Sequence, residues 1–296
     1  MKITNMHDAW GSIVELNNPM DFFNQPNNYW RSMLYERKLL IFKKMTFSLL
    51  DYAKFGHHFG KPWSPDDYIY SREKSIAVPD IDDTHYVTEF SNIIHSTKVI
   101  GNGIMPFHAD IPNRSFKPFP HRSIWIVKNP NNMISGHTHW LNIEDGIKLL
   151  SPELQSLAQR IQVLQQSWYT MNTDEGLYDF IKIHPVTGKV SLRLNYYVTK
   201  TSPNAWIKEV YVDGIKQSDC SLIQLYIDEL LKCPALFYQH IWDMNDIAIY
   251  DNYSFVHGRT ALILGDALDN NERKFYRMNI DHMTNDEFLK DNVAAG

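Results

Sequence analysis

Asp251-Asn252-Tyr253-Ser254-Phe255-Val256-His257-Gly258-Arg259 follows directly on Ile247 to Tyr250, a run of strand-forming residues. A histidine carried just past such a strand can cross to a second polar segment, and the chain offers one in Phe107-His108-Ala109-Asp110. Alternate residues of an extended segment project to one side, so His108 and Asp110 present an imidazole and a carboxylate together. Among 13 histidines one His-x-Asp is expected by chance, and the pair gains meaning only with His257. Two imidazoles and one carboxylate on one octahedral face leave three positions open, the donor set of non-haem iron oxygenases. On these residues alone, satisfied core or surface histidines are an equally weighted reading.

Outward from these segments the chain breaks into short β-rich runs: Ser123 to Val127, Thr138 to Leu141, Val190 to Leu194 and Phe275 to Ile280. Asn, Pro and Gly punctuate them, and many short strands favour a sandwich or barrel. Leu39-Leu40-Ile41-Phe42 is a further strand, after which Thr46 is the expected cap of a helix carrying Leu49, Leu50 and Ala53 and closing at Gly56. Ser151 with Pro152 starts a second helix, and Leu222, Leu225, Tyr226 and Leu230 mark a third between Ser218 and Leu231. No repeat or Pro-Ser linker divides the chain. One domain over residues 1–296 is expected, with a peripheral tail after Asp281.

The net charge of -5 and the absence of any run of five Lys or Arg argue against nucleic acid or an anionic membrane as partner. No stretch reaches the ~20 apolar residues that span a bilayer, and Met1-Lys2-Ile3-Thr4-Asn5 lacks the apolar core of a signal peptide, so a cytoplasmic location is expected. Cys220 and Cys233 read as free thiols, leaving His and carboxylate as the metal donors. Whether copies of the chain form a homo-oligomer stays open.

Several segments, in order, resemble the taurine dioxygenase (TauD/TfdA) family, including its clavaminate synthase-like branch. They are Leu40-Ile41-Phe42 with Phe55-Gly56-His57-His58-Phe59-Gly60, Phe107 to Asp110, and Ser135-Gly136-His137-Thr138-His139-Trp140-Leu141-Asn142. Leu150 to Leu154, His184 to Lys189, Asp251 to Arg259 and Arg273-Lys274-Phe275-Tyr276-Arg277 complete the series. In the third segment Gly136 and His137 stand where the family has Gly and Asp. The resemblance implies a mainly β fold with flanking helices, a double-stranded β-helix of the jelly-roll or cupin type, with a core from about 37 to 281. It implies Fe(II) on His108, Asp110 and His257, with 2-oxoglutarate and O2 at the open positions.

By the same resemblance Arg273 takes the far carboxylate of 2-oxoglutarate, with Arg259 as competitor, and Thr138 hydrogen-bonds a carboxylate of that ligand. Arg277 holds a substrate anion, so a small carboxylate-bearing molecule is the expected partner. Asn102, Phe107, Trp140 and Phe255 lie beside the inferred ligands in sequence and are candidates to line the substrate cavity, against an ordinary core role. His121, His137 and His139 have mixed strand parity and do not suggest a second metal, His184 reads as a structural hydrogen-bonding residue, and His57 and His58 sit near a helix end. The implied reaction is oxidative decarboxylation of 2-oxoglutarate coupled to hydroxylation, desaturation or ring closure of the substrate. Halogenation is disfavoured because Asp110 occupies the halide position. A non-catalytic β-sandwich binding protein and a cupin-like metalloenzyme that does not use 2-oxoglutarate are the alternatives.

Overall fold

Lys274–Ile280 sorts its residues by parity: Phe275 packs with Ile126, Trp140 and Tyr250, while Tyr276, Met278 and Ile280 pack with Trp125, Phe42 and Phe55. Both faces of its sheet are therefore covered, and neighbouring strands such as Leu39-Leu40-Ile41-Phe42 are buried at every position. The computed structural model describes residues 1–26, 28–62, 74–76, 87–91, 103–110, 121–129, 135–165, 176–195, 197, 206–262 and 272–281.

Among the described residues the first half of the chain supplies β1 (Lys2–Asn5), β2 (Ser12–Glu15), α1 (Tyr29–Arg37), β3 (Leu39–Phe42), α2 (Leu49–His57), β4 (Lys74–Ile76), β5 (Val87–Ser91), β6 (Met105–His108), β7 (His121–Lys128) and β8 (Thr138–Asn142). The second half supplies α3 (Ile143–Gly146), α4 (Pro152–Ala158), β9 (Ile161–Gln165), β10 (Gly176–Asp179), β11 (Ile181–Ile183), β12 (Val190–Leu192), β13 (Ile207–Val212), β14 (Ile215–Lys216), α5 (Ser221–Leu231), β15 (Phe237–His240), β16 (Ile247–Asp251), β17 (Phe255–Arg259) and β18 (Lys274–Ile280).

The large sheet runs β1-β2-β3-β16-β7-β18-β5-β4, and the small sheet that faces it runs β15-β8-β17-β6. Between them lies a cluster drawn from both, including Ile126, Ala248 and Tyr250 of the large sheet and Trp140 and Phe255 of the small one. These facing sheets, antiparallel except where β2 meets β3, form the expected mainly β jelly roll. Helices α1 and α2 cover the outer face of the large sheet through Phe22, Trp30, Phe42 and Phe55. Strands β9 and β13 with α4 and α5 back the small sheet through Leu141, Val163, Ile207 and Tyr226.

Local signals explain the helix ends. Ser151 caps α4 and Pro152 opens it, as the sequence suggests. The cap of α2 is Ser48 rather than Thr46: its hydroxyl accepts from Asp51 N (3.1 Å), and Asp51 accepts from Ser48 N (3.0 Å), a reciprocal box that Thr46 lacks. Helix α5 starts at Ser221, three residues later than expected. The core also begins before residue 37, because β2 pairs parallel with β3 and Trp10 packs against Phe255 with ring centroids 5.1 Å apart.

Candidate metal centre

Register brings the ligand candidates together. In the small sheet His257 lies opposite His108 on one side and Trp140 on the other, so the three side chains share the face that looks into the space between the sheets. Asp110 follows two residues after His108, and donor atoms of His108, Asp110 and His257 all lie within 4.8 Å of one another. His257 Nε2 is 3.3 Å from Asp110 Oδ2, and His108 Nε2 is 4.0 Å from Asp110 Oδ1. His108 Nδ1 donates a hydrogen bond to the Pro106 carbonyl at 2.8 Å, so the unprotonated Nε2 is the nitrogen that faces Asp110.

The protonation states suit a divalent metal. Burial, and secondly the neighbouring His108 ring, push His257 well below the ordinary imidazole range. Burial also lowers His108, against the opposing pull of Asp110. Burial alone would raise the Asp110 carboxyl, but Arg122, His257, His108 and Arg277 together outweigh it and hold the group below the usual range. Two neutral imidazoles and an ionised carboxylate result, which is what a hard-to-borderline cation such as Fe(II) takes without first displacing protons.

Buried amides fix the ligand backbone. Asn252 Oδ1 accepts from Asp110 N (3.1 Å) while its Nδ2 donates to Asp110 O (2.7 Å), and Asn195 Nδ2 donates to Ala109 O (3.1 Å). Asn252 is in turn held by the turn around Asp251, whose carboxylate accepts from Tyr253 N (2.9 Å) and sits 2.9 Å from His184 Nε2. His184 Nδ1 accepts from the amides of Val186 and Thr187, both at 3.1 Å, so Nε2 carries the proton and donates to Asp251. His184 is thus the structural hydrogen-bonding residue expected of it. Below the turn, Ser254 lies 2.9 Å from Glu144 Oε2, and Lys38 reaches Glu144 Oε1 at 2.8 Å.

Besides Arg277, the large sheet contributes two groups that sequence reading did not select. Arg122, almost fully buried, places Nε 3.0 Å from Asp110 Oδ2. Tyr250 Oη is 3.2 Å from His257 Nε2, and burial, then Asp110, raise its phenol far above the ordinary value. Arg277 stands 4.2 Å above the Phe90 ring, close enough to the centre to act on Asp110 and His108.

Two residues along the small sheet from the His257 row, Arg259 lies opposite Thr138. Arg273, just before β18, donates from Nη1 to the Gly136 carbonyl and is 5% exposed, so it is a buried cation and not a solvated turn charge. Burial, then the neighbouring Arg259 charge, lower it to about 9. Thr138 Oγ1 accepts from Trp242 Nε1 at 2.9 Å. Arg259 donates to Gly103 O at 3.0 Å, which ties it to the segment that leads into the strand bearing His108.

The expected lining residues are placed differently from one another. Trp140, in the same row as His257, and Phe255, two residues along β17 from it, are fully buried in the cluster between the sheets. Phe107 is a correction: strand alternation turns it to the opposite face from His108, where its ring lies 4.8 Å from His139. Asn102 falls outside the described residues. His121, His137 and His139 do not converge: His121 sits by Tyr35, His137 bonds Gln239, and His139 shares the outer face with Phe107. Among the described residues the only cluster of three or more candidate metal donors is His108, Asp110 and His257.

A sequence model described as "Taurine catabolism dioxygenase TauD, TfdA family" matches residues 2–279. Among solved structures, a taurine dioxygenase from Burkholderia xenovorans superposes with TM-score 0.63 at 15% identity, covering 97% of this chain and 93% of its own. PvcB from Pseudomonas aeruginosa superposes with TM-score 0.66 at 18% identity, covering 94% and 91%. PvcB is elsewhere described as an Fe, alpha-ketoglutarate dependent oxygenase from an isonitrile synthetic pathway. At these identities the superpositions establish the jelly-roll fold.

Proposed function

The chain belongs to the taurine catabolism dioxygenase TauD, TfdA family and is an iron- and 2-oxoglutarate-dependent dioxygenase, and from that premise we propose that it oxidises a small carboxylate-bearing substrate by hydroxylation or desaturation. His108, Asp110 and His257 would hold the iron, Arg273 and Thr138 the far carboxylate of 2-oxoglutarate, and Arg277 the substrate anion. Bound iron supplies a site where O2 and the keto acid react and the substrate is oxidised. The protein's own part is placement: neutral imidazoles and an ionised carboxylate at one end, buried guanidinium groups at the other, and an aromatic floor of Trp140 and Phe255 that keeps water out from below. All these residues belong to one proposed domain, and no described helix is long and apolar enough to cross a membrane.

The observation that carries the assignment is the spacing of two ranks on one strand. His257 and Arg259 are two residues apart, about 7 Å along a strand, and the rank at Arg259 brings in Thr138 while Arg273, just before β18, reaches over to Gly136. That interval matches a five-carbon dicarboxylate chelating at the histidines and anchored at the guanidinium. Arg273→Ala should weaken 2-oxoglutarate binding by about 2–5 kcal/mol, the cost of truncating one member of a buried charge pair, with stoichiometric Fe(II) binding retained. Calorimetric titration under anaerobic conditions reads both. The same loss in Arg259→Ala, with Arg273→Ala behaving as wild type, would move the anchor to Arg259.

A further inference from the structure

The inner face of the large sheet, opposite the metal donors, carries more polar groups than the reading above uses. Tyr250, Arg122 and Asn279 form one rank across β16, β7 and β18, and Ala248, Ile124 and Arg277 form the next. Their side chains share a face: Ile124, Ile126 and Phe275 of the same parity pack between the sheets, while Ser123, Trp125, Met278 and Ile280 turn to the helices. Arg122 and Arg277 are consequently diagonal neighbours on adjacent strands, about 7–8 Å apart at Cβ, and both guanidiniums act on Tyr52, His108, Asp110 and Tyr250.

Two of these groups are unsatisfied. Arg122, 2% exposed, uses Nε toward Asp110, and its Nη1 has no hydrogen-bond partner among the described residues. Asn279, 5% exposed and directly opposite Arg122, has no hydrogen-bond partner for Oδ1 among the described residues. Buried donors and acceptors are rarely left unpaired, and a buried guanidinium needs a counter-charge. A metal ion on Asp110 would draw on the carboxylate charge that now faces Arg122.

We propose that Arg122 and Asn279, together with Arg277, form the seat for the substrate's carboxylate, and that they select a carboxylic acid bearing an N–H or O–H donor beside that group. The two guanidiniums suit an anion with two oxygens, each accepting from a different strand. Asn279 Oδ1, an acceptor only, calls for the adjacent donor. The inference rests on the assignment of Arg277 to the substrate, and it gives Arg122 a role separate from any support of Asp110.

The test uses the full chain saturated with Co(II) and 2-oxoglutarate in the absence of O2, so that metal and keto-acid positions are filled. N-acetylglycine serves as the probe and N-acetylsarcosine, which lacks the N–H, as its control; binding is followed by calorimetry and by the cobalt spectrum. Wild type should bind N-acetylglycine more tightly than N-acetylsarcosine. Arg122→Met and Arg277→Met should each weaken N-acetylglycine at least tenfold, Arg122→Lys should recover part of the loss, and Asn279→Ala should erase the preference between the probes. If Arg122→Met and Arg122→Gln lower cobalt or 2-oxoglutarate affinity but leave N-acetylglycine unchanged, Arg122 serves only the metal side and the inference fails while Arg277 keeps its role. Unchanged binding in Arg277→Met, or none in wild type at tens of millimolar, overturns the substrate assignment itself.

Discussion

The two faces of the large sheet are built from the same strands and do opposite work. On β7 and β18 the outward residues Trp125, Tyr276, Met278 and Ile280 join Phe22, Trp30, Phe42 and Phe55 in an almost wholly apolar layer under α1 and α2. The inward residues Arg122, Arg277 and Asn279 of those strands lie beside the metal donors, with buried polar atoms facing the gap. Non-directional burial holds one face, and directed hydrogen bonds and charges hold the other. Stability and chemistry should therefore be separable by mutation across a single strand thickness.

The largest effect is expected on the outer face. Trp30 is fully buried, lies parallel to Phe22 with centroids 5.1 Å apart, and donates Nε1–H to Phe22 O at 2.9 Å. Trp30→Ala should cost about 3–5 kcal/mol in denaturant unfolding, the range for removing a large aromatic from a packed core. Below its unfolding transition the variant should bind Co(II) as tightly as wild type. A parallel loss of cobalt affinity would show that the two faces are coupled.

On the inner face the converse should hold with a smaller magnitude. Asn252→Ala removes both hydrogen bonds to the Asp110 backbone and frees the segment that carries two ligands. Cobalt affinity should fall about 10–100-fold, as for other groups that orient metal ligands. Asn252→Asp, which can still accept from Asp110 N but cannot donate to Asp110 O, should fall between the two. Equal losses of affinity in Asn252→Ala and Trp30→Ala would mean that global stability, not ligand placement, sets metal binding.

The contrast also explains what the sequence could reveal. His108 and Asp110 are legible because two-residue alternation is a local property, and Ser151-Pro152 because a cap is local too. Thr46 and Ser48 are chemically equivalent candidates, and only the reciprocal bond to Asp51 decides between them. Helix α1 buries Arg31 and Arg37 beside Trp30 and Leu34, which hides its apolar period. Arg122 and Tyr250 meet the metal donors, and Asn279 lies opposite Arg122, through register across three strands that no local signal gives in advance. Phe107 shows the reverse error, since its position next to His108 in a strand is the reason it faces away.

The smallest effect sharpens the outer face further and depends on pH. His58, at the end of α2, packs against Phe22 and Phe23 at 5.0 and 5.5 Å, and its buried Nδ1 lacks a hydrogen-bond partner among the described residues. Burial, then the charge of His57, lower its imidazole to about 4 from an ordinary 6.5. Above pH 6.5 the ring is neutral folded or unfolded and has no effect. Between 6.5 and 4 the unfolded chain takes up the proton first, so stability must fall as the pH falls through that window, and below 4 the loss is complete. Partial exposure tempers the loss to roughly 2 kcal/mol. His58→Gln cannot take up this proton, so urea unfolding across that window should show a correspondingly shallower decline than wild type, even if the variant is slightly less stable at pH 7. An unchanged slope would place the acid sensitivity elsewhere and leave the aromatic layer indifferent to pH.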